Sequence, residues 1–140
     1  MIGAILFKLM AGSAMDALNS RDVPKLLNNW AEDAVFVYPG NLSVSGTYHG
    51  RKAAEEFFNK FFDQFPEVHF KCTGVFIKNI FAIGPANTVS IQWENVLVNK
   101  NGERFENCGM NVTKVGWKAK ALHVRDYYFD AQKQRKAWGE

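Results

Sequence analysis

The hydrophobic period of this chain changes for good at Pro66, from helix to strand, and that change limits the folds open to it. Upstream, the segment KAAEEFFNKFFDQF places Ala54, Phe57, Phe58, Phe61, Phe62 and Phe65 on one side. Lys52, Glu55, Glu56, Asn59, Lys60 and Asp63 fall on the other, which is the 3.6-residue pattern of an amphipathic helix. Pro66 marks its end. Downstream the chain is rich in Val, Ile and Phe. Strands are predicted over Val68 to Ile83 (with a bend near Asn79), Thr88 to Val98, Arg104 to Val115 and Lys120 to Phe129. Asn101-Gly102 is a strong hairpin signal, and Gly84-Pro85 is a break. Helices that precede a run of antiparallel strands argue an α+β fold.

The upstream part supplies the rest of the helical layer. Ile5, Leu6, Leu9, Met10, Ala14, Ala17 and Leu18 form an apolar stripe, so a first helix is expected from about Ala4 to Asn19. Asp22 is a good N-cap for a short second helix with Pro24 in its first turn. Leu26, Leu27 and Trp30 would face inward from it. Short strands are expected at Val35 to Tyr38 and at Ser43 to Tyr48. No repeat or linker interrupts the 140 residues, which reads as one domain over 1–140. Twelve Phe, four Trp and four Tyr are enough for a large core, an apolar cavity, or both.

Several function classes lose support. A net charge of +3 with scattered basic residues does not suggest a nucleic-acid site. Lys133, Arg135 and Lys136 read as a solvated end. The apolar stretch Met1 to Ala11 is too short to span a bilayer and lacks a charged leader, so a cytoplasmic protein without membrane attachment is expected. Cys72 and Cys108 have no ligand spacing and read as buried free thiols. His49, His69 and His123 lack spaced partners, and no Ser/His/Asp set or phosphate-binding glycine loop is present. No metal and no cofactor is expected.

The most informative candidate is on the last strand. Alternation puts Leu122, Val124, Asp126 and Tyr128 on one face. Asp126 is then the sole formal charge on an apolar face, a position that requires pairing, protonation or a pocket. On the long strand before it, Val89, Ile91, Trp93, Asn95 and Leu97 share one face, and Ser90, Gln92, Glu94, Val96 and Val98 the other. The first set is the more apolar, but periodicity alone leaves open which set faces inward.

ALNSRD at 17–22, AEDAVFVYPG at 31–40, YHGRKAAEEFF at 48–58, NGE at 101–103 and VRDYYFD at 124–130 occur in an order that resembles the SnoaL-like branch of the NTF2-like superfamily. That branch includes polyketide cyclases, limonene epoxide hydrolases and ketosteroid isomerases. The resemblance implies a conical α+β barrel, in which a curved antiparallel sheet wraps three N-terminal helices around an apolar pocket. It also implies a small apolar ligand and a homodimer. A fold of this kind hosts many chemistries.

By resemblance to limonene epoxide hydrolases, the last-strand acid maps to Asp126, and their R-x-D pair maps to Gln92 and Glu94. This choice turns Gln92 and Glu94 inward and makes Asp126 and Glu94 the catalytic candidates. The bridging Arg is missing, and the positions of the water-holding Tyr and Asn carry Phe36 and Tyr38. By resemblance to ketosteroid isomerases, the base position carries Tyr38, the oxyanion-hole Tyr falls near Ala14, and the protonated acid falls near Asn111. SnoaL-type cyclisation, which needs one last-strand acid, is the chemistry least contradicted. Tyr38, Gln92, Asn111, Trp30, Phe36 and Tyr128 are the expected ligand-binding residues. The expected function is general acid/base chemistry by a pocket carboxylate. The alternative is a non-catalytic ligand-binding module with the same pocket.

Overall fold

A computed structural model describes residues 2–81 and 87–140. The predicted break at Gly84-Pro85 and the strand end at Ile83 lie outside the described residues. The order of elements is α1 (Ile2–Asn19), α2 (Val23–Leu27), β1 (Trp30–Tyr38), β2 (Gly46–His49), α3 (Arg51–Gln64), β3 (Glu67–Ile77), β4 (Asn87–Val98), β5 (Arg104–Val115), β6 (Ala121–Tyr128) and α4 (Ala131–Ala137). A single 3-10 turn, Trp117–Ala119, joins β5 to β6. The α+β class expected from the sequence is correct. Among the described residues no helix is long and apolar enough to cross a membrane.

The sheet has six strands in the order β2-β1-β6-β5-β4-β3. Neighbours pair antiparallel except β1 and β6, which run parallel, so the sheet is mixed. β1, from the helical half, is inserted beside the last strand and carries its side chains into the same interior. Three irregularities shift the alternation of side chains. In β1 the register shifts between Trp30 and Val35. In β3 it shifts between Cys72 and Gly74. In β6 Ala121 pairs with Val115 and His123 with Lys114. Leu122 therefore does not join Val124 and Asp126 on the inner face; Ala121 does, and Leu122 is exposed.

Local chemistry explains the helix ends. Asp22 accepts from the Lys25 amide at 3.0 Å, the cap expected from the sequence. α1 ends with Arg21 in the left-handed region, at φ 57°. From there its guanidinium donates to the carbonyls of Pro66 at 2.5 Å and Phe62 at 2.7 Å. The Phe62 carbonyl is one freed in the last turn of α3 and Pro66 follows that helix, so one side chain ties the two helix ends together. Asn19 makes a two-way bond with the backbone of Phe70, at 2.9 and 2.6 Å, and docks α1 on β3.

The Phe stripe of α3 is core, as its spacing predicted. Phe57, Phe58, Phe61, Phe62 and Phe65 are all buried. Phe36 stacks among them, with ring centroids 4.9 Å from Phe57 and 5.3 Å from Phe58. Trp30 is buried in this cluster too, but as the first residue of β1 and not on the second helix. Lys133, Arg135 and Lys136 are exposed, as expected of a solvated end, but they lie on a helix the sequence reading did not anticipate. Asp130 caps α4 by accepting from the Lys133 amide at 2.9 Å, and Gln134 and Ala137 are buried beneath it. The two cysteines are free, but Cys108 is exposed and Cys72 half-buried, because both lie on strands with an open side.

Candidate functional site

One cavity of about 580 Å³ lies between the helices and the inner face of the sheet. Its walls come from α1, α2, α3, α4 and five of the strands. Most of the lining is apolar. Asp126 is the one acidic residue in it, with Lys25 and Lys118 also on the lining.

Asp126 projects from β6 between Val124 and Tyr128, which also line the cavity. It is half-buried in terms of solvent access, because its carboxyl opens onto the cavity. The cavity walls around it are mostly apolar, and that setting governs its charge. Burial pushes its pKa up to about 7, since a carboxylate there has exchanged water for apolar walls. No hydrogen bond to its carboxyl is found among the described residues. Asn111 stands directly opposite Asp126 in the β5–β6 register, and Ile91 opposite Asn111 in the β4–β5 register. Opposed side chains on one face of an antiparallel pair lie about 4.5–5.5 Å apart at Cβ, so the amide and the acid are neighbours. The Thr113 hydroxyl donates to Asn111 Oδ1 at 3.5 Å, which leaves the Asn111 N–H groups for the cavity.

Tyr38, at the end of β1, is buried and also lines the cavity. Its hydroxyl oxygen accepts two hydrogen bonds, from Gln134 Nε2 at 2.7 Å and from Trp138 Nε1 at 3.1 Å. A phenol oxygen has two acceptor sites and one proton. Both acceptor sites are taken, so this O–H can only donate, and no acceptor for it is found among the described residues. Burial, and the nearby Asp126 charge to a lesser degree, push its pKa far above the ordinary tyrosine range. Tyr38 is thus a neutral donor on the wall of the cavity that Asp126 also lines. Tyr128 is differently committed: its hydroxyl donates to the Pro39 carbonyl at 2.9 Å, and its ring faces the cavity.

Of the expected residues, Asp126, Tyr38, Asn111, Trp30, Phe36 and Tyr128 share this cavity. Gln92 and Glu94 do not. Both are exposed on the outer face of β4, opposite Met110 and Cys108 of β5. The inner face carries Val89, Ile91, Trp93 and Asn95, the set that apolar alternation favoured. The epoxide-hydrolase mapping turned the wrong face inward: β4 pairs with β5 in unbroken register, and an offset of one residue in such a mapping exchanges the two faces of a strand. The paired-carboxylate reading falls with it, and Asp126 stands as a single acid.

The sequence reading missed Gln134, Trp138 and Asn95. For the first two the signal was present: Asp130 is a helix cap, and AQKQRKAW after it places Gln134, Ala137 and Trp138 on one side. Asn95 was placed on the correct face without being singled out. Among the described residues no group of His, Cys, Asp and Glu is arranged to hold a metal ion.

Comparison with known proteins agrees with this architecture. An NTF2-like protein from Burkholderia pseudomallei superposes with a TM-score of 0.79 at 17% identity, covering 95% of this chain and 97% of that one. TerC, crystallised with polyporic acid, gives 0.75 at 15% identity, covering 94% and 96%. A putative isomerase from Bacillus subtilis gives 0.73 at 18% identity, covering 93% and 90%. At such identities the likeness establishes the NTF2-like fold and no activity. No curated protein sequence matches the chain. Residues 12–118 match the family of SnoaL-like domains, and since that span is well over half of the chain, the protein belongs to this family.

Proposed function

We propose that the protein is a small-molecule enzyme that enolises a mostly apolar carbonyl compound, with Asp126 as the base. The observation that carries this reading is the placement of one acid, free of partners among the described residues, in an apolar cavity with Asn111 opposite it and the Tyr38 donor on the same wall. Asp126 takes a proton from the carbon next to the substrate carbonyl. The electron pair of that C–H bond moves into the carbonyl, and the enolate oxygen receives hydrogen bonds from Tyr38 and Asn111. Return of the proton to another carbon completes an isomerisation. Attack of the enolate carbon on a second carbonyl, whose π electrons move to its oxygen and take the proton back from Asp126, completes a ring closure. Donors held in place before charge develops are the effective form of such stabilisation. An acid that titrates near neutral pH is well matched to moving protons there. The relatives described as a putative isomerase and as crystallised with polyporic acid support a pocket for small organic molecules. No step in this scheme calls on a cofactor.

The test is deuterium exchange at the acetyl methyl of 4-acetylbiphenyl, an enolisable apolar ketone of suitable size. Exchange catalysed by the wild type should fall at least ~100-fold in a folded Asp126→Asn variant. Equal exchange in the two proteins would remove Asp126 from the chemistry. Tight binding with no exchange in the wild type would assign the protein to the non-catalytic ligand-binding alternative.

The homodimer implied by the family resemblance is part of the same proposal. Phe129, Trp117 and Tyr127 are exposed apolar groups available to such an interface. A monomer mass at all concentrations in sedimentation would exclude it.

A further inference from the structure

We propose that Asn95 binds a hydroxyl group at the end of the ligand remote from the reacting carbonyl, so that the substrate class is an elongated hydroxy ketone with an apolar body. The inference rests on the pocket reading above and adds the chemistry of the ligand's second end. Asn95 lines the cavity, and the residue is only 5% exposed. Its Oδ1 is the one buried side-chain polar atom without a hydrogen-bond partner found among the described residues. A buried amide oxygen left unpaired is destabilising, and native structures carry few such groups without cause.

The neighbours do not supply the missing donor. Asn107, opposite Asn95 in the register, gives its amide N–H groups to Asp130 O at 3.0 Å and Gln134 Oε1 at 3.3 Å. Gln134 in turn gives its own N–H to Tyr38. Asn95 is otherwise surrounded by apolar groups: Phe70 is its partner on β3, and Trp93 and Leu97 flank it on the same face of β4. A purely structural role there would favour a leucine.

The position sets the length of the ligand. Ile91, Asn111 and Asp126 form one row across three strands. Asn95 is four residues further along β4, which corresponds to ~13 Å of strand. Trp93 lies between, its ring over Gly109, where any side chain would collide. The wall from Asp126 to Asn95 is therefore mainly aromatic, with a polar group at each end. A hydroxyl suits the far end because it donates to the amide oxygen and accepts from the amide nitrogen. An ammonium would bring an uncompensated charge into apolar surroundings.

The test compares 4-acetyl-4′-hydroxybiphenyl with 4-acetylbiphenyl by calorimetric titration. The wild type should bind the hydroxylated probe ~10-fold or more tightly than the other, the ratio expected of one buried hydrogen bond. In Asn95→Leu, and in Asn95→Ala as a second variant, the ratio should fall to about one or invert while circular dichroism stays native. Equal affinities in the wild type would mean that the amide is satisfied without the ligand and would overturn the assignment. A preference that persists in both variants would overturn it as well. Acetyl exchange measured in the same samples reports on Asp126 independently. A lost ratio with intact exchange, or the reverse, therefore shows which of the two readings has failed.

Discussion

Gln134 donates its side-chain amide to the Tyr38 hydroxyl at 2.7 Å, bridging 96 residues of sequence and connecting the last helix to the first strand of the sheet. The bond decides what Tyr38 can do. Together with Trp138 Nε1 it saturates the phenol oxygen and leaves the proton as the group's free valence. Gln134 is itself held, since its Oε1 accepts from Asn107. Gln134→Leu should destabilise the protein by about 1–3 kcal/mol in urea unfolding, because the half-buried Asn107 amide loses an acceptor and the buried Tyr38 a donor. A variant as stable as the wild type would show that this chain of bonds does not hold α4 in place.

Tyr38→Phe separates the donor from the ring. The aromatic contacts with Phe57 and Phe36 survive, at centroid distances of 4.6 and 6.2 Å. Two N–H groups, however, lose their shared acceptor. We expect a stability loss of about 1–3 kcal/mol. Acetyl exchange should fall ~100-fold or more if the phenol bonds the developing oxyanion, with a smaller change in probe affinity. Unaltered exchange would assign the hydroxyl to structure alone.

Asp126→Asn should stabilise the protein in a pH-dependent way. The folded-state pKa is raised, to about 7 from 3.8, so the native state holds a proton that the unfolded chain has released. Stability therefore falls as pH rises between these two values and is level above the higher one. At about 1.4 kcal/mol per unit the ceiling is about 4 kcal/mol, and water entering the cavity lowers it to ~1–3 kcal/mol. The melting temperatures of wild type and variant should differ little near pH 4, diverge up to pH 7 and stay apart above it. A constant difference across that range would show that Asp126 titrates normally.

Gly109→Ala should damage the pocket floor. A Cβ at this position meets the Tyr127 carbonyl and comes within 2.8 Å of the Trp93 ring. The carbonyl belongs to the neighbouring strand and cannot yield without moving β6. Overpacking of this kind costs about 1–3 kcal/mol, and displacement of Trp93 should weaken binding of both biphenyl probes. Unchanged probe affinity would mean that the indole is not part of the ligand surface.

Glu94→Gln tests the discarded carboxylate pair. Glu94 is exposed on the outer face of the sheet. Replacement should leave stability within about 0.5 kcal/mol and exchange unaltered. A large loss of exchange would require Glu94 to reach the cavity by a route the fold does not provide.

Much of the architecture is legible from local pattern. The α3 stripe, the Asp22 cap and the limits of β5 follow from spacing and turn chemistry that neighbouring residues impose on one another. The pocket position of Asp126 follows from simple alternation, because β6 is regular from His123 to Tyr128. Alternation fails at Leu122, where the register shifts. It also contradicts the family mapping of Gln92 and Glu94, and there the apolar preference of the Val89–Leu97 face was the better guide. The register shift accounts for Leu122, whereas β4 is regular, and there a one-residue offset in positional comparison is enough to exchange the faces.

The sequence by itself determined the α+β class, the family and a lone acid on the inner face of the last strand. These depend on periodicities of two and 3.6 residues and on short motifs, all written within a few residues of chain. Only the tertiary structure decided the company Asp126 keeps. It inserted β1 parallel to β6, folded α4 back over Tyr38, set Asn111 opposite the acid and left Asn95 Oδ1 without a donor among the described residues. Each of these relations joins residues far apart in sequence. A hydrogen-bond inventory closes only when the groups that meet in the buried interior are known.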